Sequence, residues 1–214
     1  MSGYEHISVE PGDIQMLATL KPLLEKSASM HHHLCPRQVL GVRVGIAGMR
    51  ELNFKLPIRQ KRLLVIAETD GCFVSGVQAA TGCSVNRRTM RINDIGRIGV
   101  TFVDVKSEQA VRVAPRTDLR QTVSNLMTQG ADSRRARYIA MLEQYQQMPE
   151  DQLLTIEPVK LSRPVREIVS RPFVRVDCAV CGEEVINERE VLIDGRPTCQ
   201  SCAGNGYYTV TDSA

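Results

Sequence analysis

Arg62-Leu63-Leu64-Val65-Ile66-Ala67-Glu68-Thr69-Asp70-Gly71-Cys72 is the stretch from which the architecture can be read. Its apolar run is short, continuous and rich in branched side chains, the pattern of a central strand covered on both faces. The run breaks at Thr69-Asp70-Gly71, a turn. Residues 75–81 then read as a short helix closed by Gly82, which leaves Cys83 just beyond its C-terminus. Asp70 and Cys72 are thereby placed at a strand-to-helix turn, where the strand fixes a side chain and the loop exposes it.

Further strands are expected at residues 91–93, 98–105 and 110–114, the last two joined by a turn around Lys106-Ser107-Glu108. Two helices should follow Asp118, broken at Gln129-Gly130, and residues 153–161 return to the sheet. Upstream, Ile14, Leu17, Leu20 and Leu24 have amphipathic-helix spacing over residues 13–29, with Pro22 a candidate kink. A second helix is expected from Pro36 to about Leu52. Its Gly41, Gly45 and Gly48 form a small-residue stripe suited to close packing, and Arg37, Arg43 and Arg50 exclude a membrane span.

Between these helices lies His31-His32-His33-Leu34-Cys35-Pro36. Pro36 keeps Cys35 extended and suits a first helical position. An extended lead would put His31, His33 and Cys35 on one side and His32 and Leu34 on the other. A thiol at a helix N-terminus meets the positive end of the helix dipole, which favours its thiolate as nucleophile or ligand. The run is internal, unlike an expression tag.

Cys178-Ala179-Val180-Cys181-Gly182 and Cys199-Gln200-Ser201-Cys202 enclose a segment containing the turn Asp194-Gly195. Two such pairs form a closed tetrahedral zinc site, with residues 184–196 fitting a hairpin and the second pair opening a helical turn. So few apolar residues lie there that the metal supplies the folding energy. The expected domains are a core over residues 1–165, a Pro- and Arg-rich linker over 166–176, a zinc ribbon over 177–206 and a tail over 207–214.

The chain has 214 residues, a net charge of +3 and seven cysteines. An odd cysteine count with two Cys-x-x-Cys pairs argues for metal rather than a disulfide scaffold. The small net charge gives no strong case for nucleic acid, although Arg134, Arg135 and Arg137, and later Arg163, Arg166, Arg171 and Arg175, are bunched. No apolar run reaches membrane-spanning length, and the first residues are polar and acidic rather than signal-like, so a cytoplasmic protein is expected.

His31-x-His33-x-Cys35-Pro36, Gly41, Glu68-Thr69-Asp70-x-Cys72, Gln78, Thr81-Gly82-Cys83, Gly96-Arg97 and Thr101-Phe102 together resemble the FmdE family of formylmethanofuran dehydrogenase proteins over about residues 13–115. His32 stands where the family usually has Gly, and Val85-Asn86-Arg87-Arg88 replaces its usual Gly-Lys-type loop. The resemblance implies an α+β core on a mixed or antiparallel sheet packed by helices, followed in some members by a small treble-clef or ribbon zinc domain. It also implies a homodimer, and a metal near the His/Cys and Asp-x-Cys motifs. It links the chain to molybdenum or tungsten enzymes of methanogenesis.

The candidate core donors are His31, His33, Cys35 and Cys72, with Asp70 and Cys83 nearby in the sequence pattern; a mixed imidazole and thiolate set suits Zn, Ni or Fe. Cys35 and Asp70 are the candidate catalytic residues, Asp70 as base or as orienter of an imidazole. Two functions are expected. One is a metal-binding accessory, and possible protein partner, of a molybdenum or tungsten redox system. The alternative is a regulatory protein whose ribbon, with Tyr207 and Tyr208 for stacking, contacts nucleic acid or another chain while the core senses a metal or ligand.

Overall fold

A computed structural model describes residues 11–55, 61–127 and 133–209. The chain divides into two units, Met1–Leu161 and Ser162–Ala214. In the first unit the apolar run forms β1 (Leu63–Ala67), and Leu64 and Val65 are both buried although they point to opposite faces. Its neighbours are β2 (Met90–Ile92), parallel, and β3 (Val100–Asp104), antiparallel. The order β2-β1-β3-β4-β5 is completed by β4 (Ala110–Pro115) and β5 (Leu154–Val159), both antiparallel to their neighbours, so the sheet is mixed.

Three helices build the layer that positions the cysteines: α1 (Pro11–Ala28), which runs on through Pro22, α2 (Pro36–Glu51) and α3 (Cys72–Thr81). The glycine stripe of α2 is a packing surface. A Cβ on Gly41 would lie 2.0 Å from the Phe73 carbonyl oxygen, and one on Gly76 of α3 would lie 2.2 Å from the Gln38 carbonyl oxygen, so the two backbones touch where the helices cross. Further along α2, a Cβ on Gly48 would collide with the Phe102 ring of β3 at 2.2 Å, which seats the helix on the sheet.

After β4 come α4 (Leu119–Leu126), α5 (Arg134–Gln147) and the single turn α6 (Glu150–Leu153). The expected break at Gln129-Gly130 lies outside the described residues. Arg43 of α2 is 2 % exposed and donates to the carbonyls of Tyr145 (3.0 Å), Gln146 (3.3 Å) and Met148 (2.9 Å), satisfying the orphan acceptors at the end of α5. No described helix is long and apolar enough to cross a membrane.

In the second unit, residues 165–169, at the start of the stretch that reads as linker, are helical, as α7 (Val165–Val169). β6 (Arg175–Asp177) pairs with β7 (Glu184–Ile186), and β8 (Val191–Ile193) pairs with β9 (Arg196–Thr198). The hairpin expected over residues 184–196 is thus two. Each strand of the expected hairpin has another partner, because Asp194 (φ 50°) and Gly195 (φ 75°) turn the chain tightly between β8 and β9. A helical turn, Ser201–Asn205, begins within the second cysteine pair and carries Cys202.

Candidate metal centres

In the second unit, the Sγ atoms of Cys178, Cys181, Cys199 and Cys202 all lie within 4.8 Å of one another. Cys181 and Cys199 sulfurs are 3.9 Å apart, close to the edge of about 3.8 Å expected for a tetrahedron of Zn–S bonds. Backbone amides face the sulfurs: the Cys199 N–H donates to Cys178 Sγ (3.3 Å) and the Cys202 N–H to Cys199 Sγ (3.4 Å). The backbone N–H groups of Cys181, Cys199 and Val180 draw the Cys178 thiol down to about 6. The Cys202 thiol is pushed up to about 12 by the neighbouring Cys199 and Cys181 sulfurs. Four thiolates so close repel one another, and a cation at their centre removes that repulsion. Among the described residues this is the one group of three or more His, Cys, Asp or Glu donors with that spacing.

In the first unit the N-termini of α2 and α3 converge because Gly41 and Gly76 let the helices cross in contact. Cys35 caps α2 in extended conformation (φ −126°, ψ 160°) with Pro36 as first helical residue, and its N–H donates to Gln38 Oε1 at 2.8 Å. Cys72 opens α3, three residues earlier than the helix is read from sequence, because Gly71 (φ 70°) makes the turn into it. The two thiols are neighbours. Burial pushes the Cys35 thiol up, the Gln38 N–H draws it part of the way back, and Cys72 raises it again. Burial and the adjoining sulfur therefore outweigh the helix dipole that favours a thiolate.

Residues 31–33 form bends rather than a strand, and the His31 N–H bonds to the Ala28 carbonyl (2.9 Å), so the expected alternation of side chains is absent. His31 Nε2 hydrogen-bonds Ser75 Oγ at 2.9 Å on the first turn of α3. The His31 and His33 side chains are exposed, as is Asp70. The structure brings Cys35 and Cys72 together and does not bring His31, His33 or Asp70 within 4.8 Å of both. Cys83, 3 % exposed, lies past the other end of α3, about 15 Å along the helix from Cys72, with its sulfur 3.7 Å from the Leu63 carbonyl.

Tyr138 of α5 is a group that pattern reading missed. Its hydroxyl donates to the Leu34 carbonyl (3.1 Å), and its pKa is raised by burial and by the nearby Cys35 and Cys72. No motif marks it, since it comes from an amphipathic helix about a hundred residues away. Beside Cys35 opens a cavity of about 710 Å³ between α2, α4, α5 and the end of β4.

A mixed α+β sheet-and-helix unit, followed by a unit whose four thiols could hold a metal ion, defines a metal-binding protein of mixed architecture. The family model described as "FmdE, Molybdenum formylmethanofuran dehydrogenase operon" matches residues 30–155, and the chain belongs to the FmdE family. The crystal structure of a tungsten formylmethanofuran dehydrogenase FmdE-like protein from Syntrophus aciditrophicus superposes with a TM-score of 0.58 over 98 % of this chain and 100 % of that one, at 20 % identity, which shows a shared fold. A curated Archaeoglobus fulgidus protein described as "Probable S-adenosyl-L-methionine-binding protein" is 27 % identical over 209 residues, covering 89 % of this chain. The chain spans about half the length of that relative, 55 %.

Proposed function

We propose that the chain is a metal-binding accessory of molybdenum- or tungsten-dependent formylmethanofuran dehydrogenase-type metabolism. In this reading it is a homodimer, has a structural zinc ion at Cys178, Cys181, Cys199 and Cys202, and has a second transition metal at Cys35 and Cys72. The four-thiol group carries the reading, because a closed set of soft donors suits zinc. Family membership supports the link to the dehydrogenase system.

At the core site Cys35 and Cys72 supply two adjacent sulfurs. His33, two residues before Cys35 and without a hydrogen bond among the described residues, is the imidazole available to join them, while Ser75 holds His31. Zn, Ni or Fe fits such donors. A metal bound with an open position would supply Lewis-acid polarisation; Tyr138, its hydroxyl held by the Leu34 carbonyl, would keep a phenol oxygen beside the sulfurs, and Asp70 would be the base.

For the alternative reading, in which the ribbon contacts nucleic acid, the bunched arginines of the second unit are partly engaged: Arg163, Arg171 and Arg175 form exposed ion pairs with Glu167 (3.6 Å), Glu188 (2.7 Å) and Glu184 (2.8 Å), which phosphates would have to displace.

Cobalt(II) substitution tests the metal reading. The full chain should show intense visible bands of tetrahedral cobalt with sulfur-to-metal charge transfer. A Cys178→Ser/Cys202→Ser variant should keep a weaker charge-transfer band that Cys35→Ser abolishes. Absence of any band in the double variant would remove the core metal, and a particle at the 23.8 kDa chain mass in light scattering would remove the dimer.

A further inference from the structure

The cavity beside Cys35 is lined on its inner walls by Leu40, Ile98, Leu119, Val123, Met127 and Met141. Its volume of about 710 Å³ falls within the range of about 300–1,000 Å³ typical of small-molecule sites. The charged residues lining it are all of one sign: Arg37, Arg116, Arg120 and Arg137 take part, and no Asp or Glu does. Arg116 is bound to Asp118 at 3.1 Å, which neutralises it. Arg37, on the first turn of α2, and Arg120, on the first turn of α4, have exposed side chains and form no ion pair among the described residues.

A low-dielectric, apolar pocket ringed by like charges focuses a positive potential, and the N-terminus of α2 adds to it. An apolar body fills such a pocket well, and an anionic head relieves the repulsion between its guanidinium groups. We propose that this cavity binds an organic anion, whose apolar body packs on the methionine-rich wall and whose carboxylate or phosphate pairs with Arg37 and Arg120. Cys35 and Tyr138, which also line it, face the bound molecule. The assignment does not depend on a metal at Cys35.

The relative described as binding S-adenosylmethionine points to a different occupant. That ligand carries a sulfonium and an ammonium against a single carboxylate, a net positive charge that this rim disfavours. It therefore belongs in the test as a competitor.

The experiment uses the full chain and 8-anilinonaphthalene-1-sulfonate as probe. The chain has no tryptophan, so Met141→Trp gives a single reporter inside the cavity for energy transfer to the probe. One probe molecule should bind per chain. 1-Naphthyl phosphate and 1-naphthoate should displace it at least tenfold more effectively than neutral 1-naphthalenemethanol, and whichever anion competes better identifies the head group. Arg37→Gln/Arg120→Gln should weaken both anions at least tenfold and leave the neutral compound within twofold, whereas Arg37→Lys/Arg120→Lys should retain most of the binding. Because both arginines are exposed, an unchanged thermal melt confirms that these variants fold. Equal anion affinity in the Gln variant and the native chain would overturn the proposal, as would probe binding without energy transfer from the introduced indole, or displacement by S-adenosylmethionine better than by either anion. Repeating the titration on Cys72→Ser, a residue that does not line the cavity, separates this result from the metal reading, since anion binding should persist there whether or not the core metal is lost.

Discussion

Glu68 shows how one side chain ties the sheet to the turn that carries Asp70 and Cys72. Its carboxylate, 9 % exposed, accepts from Arg112 of β4 at 2.6 and 2.8 Å and lies 3.1 Å from Arg97. Arg112, with a smaller share from Arg97, holds the carboxyl below its usual range. A depressed folded-state pKa stabilises the fold fully above the unfolded value of about 4.3, and that contribution is lost as the pH falls through the lower folded-state value. Glu68→Gln should cost about 2 kcal/mol at neutral pH in urea unfolding, less than the roughly 3–5 of a fully buried pair because Arg97 and part of Arg112 reach solvent. The variant should also lose less stability than the native chain on acidification below about pH 4. Gly99 makes the pair possible, since a Cβ there would meet Arg112 at 2.7 Å. The strand-to-turn placement of Asp70 and Cys72 was legible in the sequence because branched apolar residues before an Asp-Gly pair leave few alternatives. A neighbour that bears on the Cys72 side of the site was not: Tyr138 reaches it from α5 through tertiary packing, which no local pattern encodes.

At the scale of elements, α2 is the piece on which the first unit is assembled. It touches α3 through Gly41, the sheet through Gly48 and α5 through Arg43. The 3.6-residue periodicity of its glycines made the packing face legible, whereas the partner at each glycine, Gly76 above all, depends on a crossing that only the folded chain defines. Gly41→Ala drives a methyl group into the backbone of α3 and should destabilise by about 3 kcal/mol in urea unfolding, with Cys35 and Cys72 alkylated faster as the helix ends separate. Arg43 has the opposite history: in the sequence it reads as a charge that forbids a membrane span, and in the fold it is buried with three carbonyls on its guanidinium. Arg43→Met should cost about 2–4 kcal/mol by leaving those acceptors unpaired, and hydrogen exchange should rise first at the C-terminal turn of α5.

For the whole molecule, the two units differ in what holds them together. The first buries a continuous cluster that runs from Leu20 and Leu24 through Val39, Val65 and Phe102 to Leu153. The second has two short hairpins around four thiols and exposes Phe173, Val180, Leu192 and Tyr207. Its ligand spacing was plain in the sequence because a Cys-x-x-Cys pair constrains geometry by itself, while a site assembled from distant elements, as at Cys35 and Cys72, leaves no comparable signature. A strong chelator should therefore unfold the second unit and leave the cooperative unfolding transition of the first in place, which circular dichroism with and without chelator can follow. The most direct measurement is metal content by mass spectrometry on the full chain and two variants. The account predicts two equivalents in the native protein, one in Cys178→Ser/Cys202→Ser and one in Cys35→Ser/Cys72→Ser; a native protein with a single equivalent that disappears entirely with the ribbon cysteines would contradict it.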